Sequence, residues 1–350
     1  CEEFGAALAA VRPVSGVLGP ESVAGYLAAG EGIEEPPEDL LEEVEAEVAE
    51  LTSALDTAGK SVGASSRGQA YALLGDRVEH VSVRDAVEAA IGRVTAFWAG
   101  RDVVPVTVRT PLEISVSRSN ASTAEVVFDI GAPFEAVRRP YVLRIPDLSD
   151  LSGPGGAERA RLRREYLNDP MLEIIAVHEA YVGHYVHTEA ALSGPGPLRS
   201  CVRWTAGLPE GWSHYAEELA VEQGLAADRP LVRIAQLKSA IECAVRCLVY
   251  LSVHLGRRTF EQSVAEAAAL CLWPADRAVR EVLMTTANPA MAMYTLGKLR
   301  IRRWRRTLAV DSAPGGLRDF HGRILRGGYA PLATALQYYL DTRPAPASRG

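Results

Sequence analysis

The sequence predicts a mainly α-helical protein with one small β-sheet (α+β) and a metal site held between two helices, and three observations carry that expectation. Apolar residues recur at spacings of three and four through most of the 350 residues, the pattern of helices that bury one face. Between about 103 and 146 the period changes to two, with turn residues between the runs, as in a few short strands. Four of the seven histidines fall between positions 178 and 214, beside Glu179, Glu189, Glu210, Glu217 and Glu218. Imidazole and carboxylate concentrated in that way suit a divalent ion.

In chain order, Pro36-Pro37 precedes Leu40, Val44, Val48, Leu51 and Leu55, which form one apolar stripe opposite acidic residues. Gly59 to Gly68 reads as the turn out of that helix, and Ser82 with Asp85 as the N-cap of the next, which carries Val87, Ile91, Val94 and Trp98. Residues 1–80 read as an N-terminal helical segment, a candidate lid, and 81–350 as the domain that carries the sheet and the histidine cluster. Four strands are expected, at Val104–Val108, Leu112–Val116, Glu125–Ile130 and Tyr141–Ile145. The last, nearest the histidines in sequence, is the candidate edge for an extended substrate, with an internal strand that touches no substrate as the alternative. The segments around Ser152–Gly156 and Ser193–Pro197 read as connections flanking the metal-site helices of about 170–225, and 230–340 reads as helical. Within it, the basic run Lys298, Arg300, Arg302, Arg303, Arg305 and Arg306 reads as solvated or salt-bridged surface, with an anchor for a substrate carboxylate as the alternative.

Composition sets the outer bounds. A net charge of -7 and a pI near 5.6 argue against nucleic acid as a partner. With no run of eighteen apolar residues and no signal-peptide pattern, the expectation is a cytoplasmic protein without a membrane span. Cys243 and Cys247, one turn apart in an apolar helix, read as small buried hydrophobes.

The apolar run Met171–Val177 leads into His178-Glu179, and ionisable groups in a buried helix require partners. A metal serves several at once. His178 and His184 are six residues apart, which on a regular helix separates them by about 120°. Both can reach one ion only if the helix bulges or breaks, for which Gly183 is the candidate. His184 and His187 share a face without distortion but leave His178-Glu179 without a role. Glu210, His214 and Glu217 line one helical face, and Glu210 is the favoured third ligand. Glu217 is placed to hold a histidine tautomer, and His214 to hydrogen-bond. Zinc fits such a nitrogen and oxygen set best.

The stretch His178-Glu179…Gly183-His184 followed by Glu210-Gly211-Trp212…Tyr215…Glu217 resembles the bacterial DUF885 family of unknown function, which is similar to gluzincin metallopeptidases. Tyr294-Thr295-Leu296-Gly297-Lys298, and Asp319-Phe320-His321 through Pro331-Leu332, extend the resemblance over about 85–340. Val182 stands where the family has proline, His187 where it has glutamine, and Leu283-Met284 where an Arg-Tyr pair is usual. The resemblance implies a zincin-like fold binding Zn2+ through His178, His184 and Glu210, with Glu179 as general base. Tyr294 or His254 would stabilise the oxyanion, with Glu217, His187, His214 and His321 around them. The activity so implied is hydrolysis of an amide in a small peptide or amino-acid conjugate. The alternatives are a biosynthetic metalloenzyme acting on an amino-acid-derived small molecule, and a non-catalytic binding protein on the same scaffold.

Overall fold

The structure is a computed structural model that describes residues 16–78, 82–117, 126–130, 139–152, 155–194, 205–313 and 315–343. Helices α1 (Pro20–Glu31), α2 (Pro37–Ser61), α3 (Arg67–Gly75) and α4 (Val83–Trp98) precede the strands β1 (Leu112–Ser117), β2 (Val127–Asp129) and β3 (Tyr141–Pro146). Then follow α5 (Gly156–Tyr166), α6 (Asp169–Glu179), α7 (His184–Leu192), α8 (Gly207–Glu222) and α9 (Pro230–His254). The last are α10 (Phe260–Cys271), α11 (Ala275–Ala287), α12 (Ala290–Thr307), α13 (Gly316–Arg326) and α14 (Leu332–Thr342).

Helix α9 is the axis of the molecule. It is apolar around most of its surface, so it is buried along nearly its whole length, with α2, α6, α8, α10, α11 and α12 against it. The expected α2 stripe, Leu40, Val44, Val48, Leu51 and Leu55, is its cover, and both helices belong to one hydrophobic core. Proline fits the first turn of α2 because no intrahelical hydrogen bond is lost there. Ser82 Oγ accepts from Asp85 N at 3.2 Å, the expected cap of α4.

The acidic side of α2 meets the basic run of α12. Lys298 Nζ lies 2.6 Å from Glu47 Oε1 with both side chains buried, and Arg302 reaches the same carboxylate at 3.0 Å. Arg300 and Arg303 pair with Glu35 and Glu43. Lys298, Arg300, Arg302 and Arg303 of the run are therefore salt-bridged within the chain.

The sheet has the order β1-β3-β2, with β1 parallel and β2 antiparallel to β3. This corrects the expected edge. Tyr141–Ile145 lies in the middle strand, paired on both sides, so among the described residues β1 and β2 are the edges. Residues 104–108 are not a strand, and Glu125 lies outside the described residues.

Two close approaches set α8, which carries Glu210, against α12. A Cβ on Gly211 in α8 would stand 2.5 Å from the Gly297 backbone in α12, and one on Gly297 would overlap the Gly207 carbonyl, so these helices touch through bare backbone. The start of α8 is held by Glu31, whose buried carboxylate accepts from Gly207 N at 2.7 Å and from Leu332 N at 3.2 Å. Burial pushes that carboxyl up to about 7 despite those hydrogen bonds. No helix among the described residues is long and apolar enough to cross a membrane.

Exchanging Lys298→Met strands the Glu47 carboxylate in the core with only Arg302, and we expect urea unfolding to show a loss of about 3–5 kcal/mol.

Candidate metal centre

The six-residue spacing of His178 and His184 is resolved by a break. Helix α6, capped by Asn168 Oδ1 on Met171 N at 3.0 Å, ends at Glu179, and α7 starts afresh at His184. Between them the chain turns sharply, and Gly183 passes so close to α6 that a Cβ would overlap the carbonyls of His178 and Val177. Only glycine fits there. Trp212, fully buried on α8, donates its indole N–H to the Val182 carbonyl at 2.8 Å and pins the turn to the helix that carries Glu210.

Three ligand atoms converge as a result. His184 Nε2 lies 3.3 Å and His178 Nε2 3.7 Å from Glu210 Oε2, and all three atoms lie within 4.8 Å of one another. Two ligands at zinc bond lengths of about 2.0–2.1 Å in tetrahedral geometry stand roughly 3.3 Å apart, so the set fits one ion. The other nitrogen of His178, Nδ1, is 2.8 Å from Glu217 Oε1, which directs the Nε2 lone pair toward Glu210 and His184. A second grouping of His178, His214 and Glu217 is also compact. There, however, both ring Nδ1 atoms aim at one oxygen, Glu217 Oε1, at 2.8 and 3.3 Å, the geometry of two N–H donors on a carboxylate.

Electrostatics follows from burial and from this pairing. Burial alone would raise Glu210, but His184 and His178 outweigh it and hold it well below the carboxylate range. Burial is likewise outweighed at Glu217 by His214 and His178, which bring it to about 2. His178 is held well above the ordinary histidine value, Glu210 and Glu217 outweighing burial. Glu179, the last residue of α6, goes the other way. Burial raises it above the ordinary range, with His178 and His184 pulling back and Glu210 and Glu217 adding to the rise. Tyr294, whose ring packs 5.4 Å from that of His214, is raised well above the phenol value by Glu210 first and burial second.

The other expected residues separate. His187 is fully buried, with Nε2 2.9 Å from Gly328 O and its ring against Tyr329, so it anchors the loop before α14 rather than an ion. His321 supports α8 from behind through Tyr215 at 3.0 Å and donates its Nδ1–H to Val103 O, and burial lowers it to about 4. His254 pairs with Thr286 O and Leu18 N. It sits eleven residues, about 16 Å along α9, beyond Cys243, where that helix meets His214, so it is not at the oxyanion position.

Two neighbours escaped sequence reasoning. Phe128 of β2 stacks on His184 with centroids 6.3 Å apart, a contact that no local pattern announces. Cys243 is free and buried, as expected, but its Sγ stands 3.1 Å from His214 Nε2, a contact the hydrophobe reading did not foresee. The polar flanks Glu242 and Arg246 were the available signal.

Comparison with known proteins follows the same fold. No curated protein matches the chain. It is similar to the "putative lipoprotein of unknown function" from Shewanella oneidensis, with a TM-score of 0.83 and 18% identity, over 97% of this chain and 63% of that one. It is also similar to the "putative lipoprotein" from Colwellia psychrerythraea, with a TM-score of 0.80 and 21% identity, over 97% and 58%. The chain thus spans about three fifths of these structures, and at such identity the likeness is one of fold. The match to the family described as "Bacterial protein of unknown function (DUF885)" runs over residues 6–337, and the chain belongs to that family.

Proposed function

We propose that this protein is a zinc-dependent hydrolase of the gluzincin kind, cleaving an amide in a small peptide or amino-acid conjugate. The observation that carries the reading is the convergence of His178 Nε2, His184 Nε2 and Glu210 Oε2, with Glu179 buried beside them. His178, His184 and Glu210 would hold the ion, which when bound would polarise the scissile carbonyl and acidify water.

The chain's own groups divide the remaining work. Glu179, raised by burial toward neutrality, accepts a proton from the attacking water and passes it to the leaving nitrogen. Tyr294, kept protonated by the charge of Glu210, donates its hydroxyl to the oxyanion as it forms. Glu217 holds His178 through Nδ1 and keeps the ring facing Glu210. The strand β2, an edge among the described residues with Phe128 against His184, would offer its outer side to an extended substrate in place of β3.

Plasma mass spectrometry on protein purified without a metal-binding tag is expected to find about one zinc per chain in the wild type and almost none in His184→Ala. Absence of metal from the wild type after zinc is added removes the mechanism and leaves a binding role. The exchange Glu179→Gln is expected to keep the zinc and to lower hydrolysis of a peptide or N-acyl amino acid panel by about 10²–10⁴-fold. Unchanged turnover in that variant assigns the base elsewhere. In Gly183→Ala the added methyl opens the turn, and we expect both a loss of stability of about 1–3 kcal/mol and a loss of bound zinc.

A further inference from the structure

Beside the proposed metal centre lies a second cluster, of which the mechanism uses only Glu217. Cys243 Sγ is 3.1 Å from His214 Nε2, and His214 Nδ1 is 3.3 Å from Glu217 Oε1. Arg246, one turn along α9, brings Nη1 within 3.8 Å of the same sulfur. Sulfur, imidazole and carboxylate in line are the arrangement that activates a thiol, the imidazole taking its proton and the carboxylate orienting the imidazole. Glu217 Oε2 is buried without a hydrogen-bond partner among the described residues, so the relay retains an unused acceptor.

The chain contains its own controls. Cys247 and Cys271 are also free and buried, yet no imidazole or guanidinium is hydrogen-bonded to either among the described residues. Cys243 is slightly the most open of the three, at 7% against 0% and 2%. Burial raises all three thiols. At Cys243 alone, His214 and Arg246 outweigh it and bring the thiol below its ordinary value.

We infer that Cys243 is a covalent-modification site, selective among the buried thiols for small hydroperoxides and soft electrophiles. With the thiol proton on His214, the sulfur attacks one oxygen of a hydroperoxide. An S–O bond forms as the O–O bond breaks, and the sulfur is oxidised to a sulfenic acid. The departing oxygen is reduced to hydroxide or alkoxide and takes the proton from His214 Nε2. With an alkyl halide the S–C bond forms and halide leaves. Because His214 and His178 share Glu217, modification at Cys243 acts on the imidazole that faces Glu210.

The test is alkylation of the native full chain with iodoacetamide, quenched over time and read peptide by peptide by mass spectrometry, with and without a chelator. Cys243 is expected to react about tenfold or more faster than Cys247 and Cys271, and His214→Gln to slow Cys243 alone to their rate. Arg246→Gln, checked for folding by circular dichroism, is the second variant and is expected to slow Cys243 in the same direction. Equal rates at the three cysteines, or a Cys243 rate indifferent to both exchanges, overturns the inference. A fast Cys243 in a chain that binds no zinc leaves this site standing and removes the metal reading, and a slow Cys243 in a zinc-bearing chain does the reverse.

Discussion

Two buried carboxylates, Glu179 and Glu217, and the partly exposed Glu210 share one small volume, and the arrangement around them follows from the need to compensate that charge. Imidazoles supply the compensation: His178 faces two of the carboxylates, His184 one and His214 one. Each imidazole arrives from a different direction, on the end of α6, the start of α7 and the middle of α8. Helices α6 and α8 both pack against α9. A regular helix through 178–187 would turn His184 away and leave Glu210 with half its partners.

Backbone proximity does for the framework what charge pairing does for the centre. Gly183 lets the chain double back onto α6, and Gly207, Gly211 and Gly297 let α8 and α12 meet without side chains between them. That contact brings Tyr294, one turn before Gly297, beside His214. On its opposite side α12 is held by Lys298 and the arginines to α2. The residues that carry the proposed chemistry are thus located by residues that carry none.

What could be read in the sequence was whatever depends on local period and short motifs. The α2 stripe, the Ser82 cap, the single small sheet and the clustering of His178, His184, Glu210 and Glu217 are of this kind, since each is written within about ten residues or in two nearby stretches. Gly183 was legible as the place of the break because the geometry of a six-residue spacing demanded one. Pairings across the chain were not legible. The sheet order depends on a parallel crossover that places Tyr141 between the other strands, and nothing in the strand itself records its neighbours. Cys243 and His214 are 29 residues apart on separate helices, and His254, on the same face-rich helix as Cys243, differs from it only in how far along the axis it lies.

The Glu31 carboxylate has a bearing on how this fold can be divided. It closes α1, yet both of its oxygens serve the opening turns of α8 and α14, far away in sequence. A fragment cut to begin at the sheet would contain every proposed ligand and would lack the acceptor that fixes the first turn of the helix bearing Glu210. Such a fragment would open α8 on a Gly207 N–H stripped of its carboxylate partner.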